Sequence, residues 1–196
     1  MTKSSFKAFL ERKNIEISAR RYGIDALSAM AQGLFCSLLI GTIINTIGTQ
    51  FHIGFLTNPV CTIGGADYTV GGLAVAMTGP AMAIAIGYAL KSPNLVLFSL
   101  ATVGFAANGL GGAGGPLAVL IVAIIAAECG KAVAGETRVD ILVVPLVTIG
   151  VGVALAVPTP MIAFRSPPGA YSTALLTGPV SSSPRAYRRR FRGSSA

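Results

Sequence analysis

"KSPNLVLFSLATVGFAANGLGGAGGPLAVLIVAIIAAECGK", residues 91–131, decides the fold. No charged residue occurs in it between Lys91 and Glu128. At its centre, Gly109-Leu110-Gly111-Gly112-Ala113-Gly114 spells G-x-G-x-x-G, the fingerprint of a dinucleotide-binding turn. That fingerprint has meaning only between a strand and a helix of a βαβ unit. Here an apolar segment lies on each side, and no alternating strand leads into the glycines. Glu128 stands at about the distance expected of a ribose-binding carboxylate, but it closes an apolar helix instead of a second strand. The glycines therefore read as a tight connection between two membrane helices. Gly111-x-x-x-Gly115 permits close backbone contact, and exposed loop amides offer a contact for a polar solute.

The rest of the chain repeats the pattern. Hydrophobic residues make up 53% of it and charged residues 11%, against roughly 25% charged in soluble domains. No Asp, Glu, Lys or Arg lies between Asp25 and Asp67, between Asp67 and Lys91, or between Asp140 and Arg165. A bilayer core of about 30 Å takes about 20 apolar residues in a helix. These gaps predict an all-α polytopic transmembrane protein of about five spans: 24–47, 71–90, 94–107, 116–127 and 141–157. Ser28, Gly33, Ser37 and Gly41 give the first span a small-residue packing face. Gly79-Pro80 should interrupt the second. The third and fourth are short. Residues 48–70 carry no Lys or Arg, and read as an outside loop or a short re-entrant piece.

The net charge of +8 does not mark a nucleic-acid binder. Six basic residues fall within the first 21 positions and six arginines at or after Arg165, leaving only Lys91, Lys131 and Arg138 between. Basic flanks around apolar spans follow the positive-inside rule. They place the N-terminus, Lys91 and the Lys131–Arg138 loop in the cytoplasm, with 48–70 and the glycine loop outside. Residues 1–23 form the leader. With Phe6, Phe9 and Leu10 at helical spacing, it is either an interfacial helix on an anionic leaflet or a solvated basic segment that sets topology. It is not a signal peptide, because its polar stretch is long and several spans follow. Cys36, Cys61 and Cys129 form no C-x-x-C and read as small buried hydrophobes.

Residues 161–196 differ in kind. Ser, Pro and Arg supply 17 of the 32 residues from Arg165 onward, with no Lys, Asp or Glu. The tail is expected to be disordered. Its composition suits either a GC-rich gene read out of frame, so that the membrane domain is truncated, or a genuine basic tail. It also breaks the charge rule, since five spans would leave it outside.

Polar groups in membrane segments are functional hypotheses by default. Glu128 ends an apolar run beside Gly130-Lys131, and is either a substrate-binding carboxylate or an edge residue paired with Lys131. Asn108 is placed to hydrogen-bond a ligand hydroxyl or to cap a turn. His52 is a candidate proton or phosphate relay, or an incidental loop histidine. No catalytic triad, metal-ligand cluster or P-loop is visible, so neither a catalytic residue nor a cofactor is assigned.

Three segments carry a resemblance: RKNIEISARRYGIDALSAMAQGLFCSLLIGTII (12–44), AMTGPAMAIAIGYALKSPNLVLFS (76–99) and AAECGKAVAGETRVDILVVPLVTI (126–149). Together they resemble a membrane-embedded IIC family of the bacterial phosphoenolpyruvate-dependent sugar phosphotransferase system, over about residues 6–160. The resemblance implies a permease in the bacterial inner membrane that binds a sugar at mid-membrane. It implies cytoplasmic IIA and IIB partners that carry the phosphoryl-transfer residues, with a homodimer left open. Family members are nearly twice as long, so residues 24–160 match a first half, and no family site residue transfers to a position here. Two alternatives stand beside the permease: a membrane-bound regulator of the same family without transport, and a small helical membrane scaffold.

Overall fold

A computed structural model describes residues 12, 13, 15, 18–63, 66–136 and 139–158. Most of the leader, Arg138 and the tail from 161 lie outside the described residues, and so do the expectations placed on them. The first span is one helix, α1, over Arg21–Gln50. At 1.5 Å per residue its 30 residues reach about 45 Å, more than the hydrocarbon core. Two π-helical turns, Arg21–Asp25 and Phe35–Leu39, interrupt its regular winding. Its buried stripe is Ala26, Ala29, Gly33, Ser37, Gly41 and Gly48. Ser28 faces out instead, because counting back from Gly33 by three or four residues reaches 26, 29 and 30, not 28. A Cβ on Gly33 would lie 2.6 Å from the Ala81 carbonyl oxygen, and one on Gly41 2.8 Å from that of Gly71.

Residues 48–70 are more ordered than a loop. The end of α1 leads into a short helix, α2 (Gly54–Thr57), and an antiparallel hairpin of β1 (Cys61–Ile63) with β2 (Ala66–Tyr68), in which Thr62 faces Asp67. Next come α3 (Val70–Ala76) and α4 (Thr78–Ala89), bent against each other by 49°. The bend falls where the sequence predicts it. Pro80 has no N–H for the Ala76 carbonyl, and its ring crowds the preceding turn. α5 (Asn94–Gly111) and α6 (Gly115–Val133) are joined by a single 3₁₀ turn, Gly112–Gly114. α7 (Asp140–Ala156) closes the bundle.

Three helices, α1, α5 and α6, are long and apolar enough to cross a membrane, and the bent α3–α4 pair is long and apolar enough to be either a fourth, broken span or a re-entrant loop. The shorter apolar α7, with 17 residues, is near the lower limit for a fifth. α5 and α6 both outrun their expected lengths.

Small residues are frequent in the core: Ala83, Val96, Val103, Ala107, Val119, Ala123 and Ala126 are fully buried, alongside the larger Met82, Ile86, Leu90 and Leu100. Other large apolar side chains face outward, among them Phe35, Phe98, Leu117, Leu142 and Leu146. Water would penalise that surface heavily, whereas lipid tails are as apolar as leucine and leave close backbone packing as the main source of helix association. The tightest crossing joins α4 to α5. A Cβ on Gly79 would sit 2.4 Å from the Gly104 carbonyl oxygen, and one on Gly104 would sit 2.4 Å from that of Gly79. The cysteines depart from expectation: Cys36 is exposed and Cys61 and Cys129 half-buried. Cys36 lies off the inward stripe of α1, where large neighbours face lipid.

Candidate functional site

Charge gathers at one end of the bundle. α4 stops there in a left-handed turn, with Lys91 at φ 53°. The Ser92 N–H donates to the Gly87 carbonyl and the Lys91 N–H to that of Tyr88, which is the paired bonding of a Schellman stop. The Leu90 carbonyl at this stop accepts from two cations, Arg21 Nη2 at 2.8 Å and Lys131 Nζ at 3.3 Å. Both oppose the negative end of the α4 dipole. They also tie the start of α1 and the end of α6 to the same point.

Lys131 is 1% exposed. Its ammonium pairs with Glu128 Oε1 at 2.7 Å, three residues back on the same helix. The Tyr22 hydroxyl approaches the same carboxylate. The other oxygen, Glu128 Oε2, is buried with no hydrogen-bond partner among the described residues. A buried carboxylate oxygen without a donor is costly, and a ligand hydroxyl would satisfy it.

A pocket of about 510 Å³ opens at this end, lined by Arg12, Lys13, Lys91, Lys131 and Glu136 together with Pro93, Ala134 and Gly135. Glu136 bridges Lys13 at 2.7 Å and Arg12 at 2.9 Å. The Lys13 hydrogen bond, followed by the Lys13 charge, holds the Glu136 carboxyl below its usual range, so it stays ionised at neutral pH. The Lys13 ammonium also donates to the Ala134 carbonyl.

Asn108 lies elsewhere, near the glycine turn. Glu128 is 13 residues into α6 and Asn108 is near the end of antiparallel α5, which puts them about 20 Å apart along the bundle. A Cβ on Gly115 would meet Asn108 Oδ1 at 2.6 Å, and one on Gly111 would meet Ala118 Cβ at 2.8 Å. The expected close approach at Gly111 and Gly115 is therefore present, and Asn108 is packed into it.

His52 is third and separate. It is exposed, just past the opposite end of α1 from Arg21, at φ 51°. The Ile53 N–H donates to the Gly48 carbonyl across it, so His52 holds the left-handed position of a helix stop. The structure does not bring Glu128, Asn108 and His52 together. A left-handed residue with a Cβ is strained by about 1–2 kcal/mol, of which glycine's extra unfolded-state freedom offsets a part. His52→Gly should accordingly raise stability by about 1 kcal/mol, read as a higher unfolding midpoint in detergent. A lower midpoint would mean that the imidazole itself supports the fold.

Two features escaped the sequence reading. One is the double capping of Leu90, a backbone group that no residue pattern marks. The other is Asn45 inside α1, whose Oδ1 accepts from the Thr69 hydroxyl at 2.9 Å while Thr69 caps α3 by accepting from the Gly72 N–H. A lone Asn within a long apolar span was the available signal.

Fold and site define the class: a polytopic membrane protein with close small-residue helix crossings, large apolar side chains on its outer surface, and a charged pocket at one end. A family model described as "Phosphotransferase system, EIIC" matches residues 24–163. The chain belongs to that family, the membrane component of sugar phosphotransferase permeases, for which a sugar substrate and cytoplasmic IIA and IIB partners are implied. The match begins at the first span, so the leader is outside it. No curated protein and no solved structure matches.

Proposed function

We propose that this chain binds a sugar and carries it across the bacterial inner membrane, with IIA and IIB subunits phosphorylating it on the cytoplasmic side. The charged end faces the cytoplasm in this reading. Its support is the excess of Lys and Arg there over the hairpin end. The observation that carries the site is the buried, unpartnered Glu128 Oε2, an acceptor suited to a sugar hydroxyl near the phosphorylation side. Asn108 is a second polar contact along the bundle. His52 has a relay role only if a proton or phosphate reaches its exposed end.

Binding of radiolabelled sugars to the purified full chain tests the site. A panel of hexoses and pentitols should contain one that binds saturably. Glu128→Gln, which keeps an acceptor for Lys131, should weaken that sugar about tenfold through loss of a charged hydrogen bond. Equal affinity in the variant would remove Glu128 from the site. Absence of saturable binding, with no uptake dependent on IIA and IIB, would leave the non-transporting regulator.

Orientation has its own measurement. In a cysteine-free background, Thr62→Cys in the hairpin should react with an impermeant maleimide in intact cells. Lys91→Cys should react only after lysis. The reverse pattern would invert the topology.

A further inference from the structure

We infer that the basic pocket at the charged end is a binding site for a phosphate group, with Lys91 as its principal cation. This inference does not rest on transport. Among the described residues, four cations line the pocket against one carboxylate. Glu136 engages Arg12 and Lys13, and Glu128 engages Lys131. Lys91 forms no ion pair among the described residues and is exposed at the pocket wall. Asp140 accepts from the N–H of Gly135, a residue of the pocket lining, and is not itself part of that lining.

The backbone at Lys91 supports the assignment. A helix stop of this kind favours glycine at the left-handed position. Lysine occupies it here at φ 53°. Neutralising the α4 terminus does not require it, since Arg21 and Lys131 already bond the Leu90 carbonyl. The strain is accounted for if the ammonium is held at the pocket for a ligand. Phosphate oxygens suit convergent Lys and Arg donors. A volume of about 510 Å³ admits more than a bare ion, within the range of small-molecule sites. The phosphate can come from a soluble monoester or from the headgroup of an anionic lipid, whose cytoplasmic leaflet basic rims attract.

Lys91→Gly is the decisive variant, because it removes the charge and relaxes the strained backbone together. It should unfold at the same temperature as the parent chain or higher, so a binding loss cannot be blamed on misfolding. In zwitterionic detergent, inorganic phosphate titrated into the full chain should broaden its ³¹P resonance saturably, and Lys91→Gly should weaken this about fivefold. In nanodiscs of phosphatidylcholine, added phosphatidic acid should raise the parent's unfolding midpoint more than the variant's if the lipid is the source. The detergent result alone assigns a soluble phosphate, and the nanodisc result alone assigns a headgroup. Binding and stabilisation equal in parent and variant, or absent from both, would overturn the site. A variant that unfolds earlier than the parent would refute the strain on which the assignment of Lys91 rests.

Discussion

Gly104→Ala should lower stability by about 3 kcal/mol, the upper range for overpacking a core. The added methyl would lie 2.4 Å from the Gly79 carbonyl oxygen and 2.5 Å from Ala83 Cβ. Neither neighbour can swing aside, because one is helix backbone and the other is a fully buried alanine. The helices α4 and α5 must separate, and every small-residue contact along the crossing loosens with them. Gly109→Ala is the matched control, since a Cβ there meets nothing within 4 Å, and it should change stability by under about 0.5 kcal/mol. Unfolding midpoints of the purified chain in one detergent decide the matter. If the two variants melt together, the α4–α5 crossing is not where the bundle is held.

Lys131→Ala should be comparably severe, at about 3 kcal/mol. It would leave Glu128 charged in a largely buried place, with Oε1 unpaired as Oε2 already is. It would also remove one of two donors from the Leu90 carbonyl. Most of that loss is the penalty of an uncompensated charge, so removing the partner as well should recover much of it. The double variant Lys131→Met with Glu128→Leu should therefore melt above Lys131→Ala alone, while losing sugar affinity under the proposed role of Glu128. A double variant no more stable than the single one would show that the Leu90 bond, and not the ion pair, holds the three helices.

The membrane spans were legible because the chain confines its charges to their ends. Their exact limits were less so, for two physical reasons. The expected stop at Ala107 gave way to Gly111 because the helix runs on to the point where the bare backbone of Gly111 packs against Ala118. The expected stop at Ala127 gave way to Val133 because Glu128 and Lys131, three residues apart, pair on one face and let the winding continue. The hairpin at 61–68 was hidden because two strands of three residues are too short to show alternation. At the site, Glu128 and Lys131 were visible as neighbours in sequence. The meeting of Lys131 with Arg21 at a carbonyl 41 residues from Lys131 depends on the bundle's closure and leaves no local trace.

The three-residue turn between α5 and α6 bears on how the chain enters its membrane during synthesis. The two helices begin after Lys91 and reach Glu128 and Lys131 with no formal charge between, and both charged ends lie on the same side of the hairpin. A charge carried through the bilayer centre costs about 2.5–3.5 kcal/mol on insertion scales. Inserted as one folded pin, α5 and α6 move none across. Only glycines, an alanine, a leucine and a carboxamide make the crossing, so a single arginine at Gly112 would set a barrier at biogenesis before it could perturb the finished bundle.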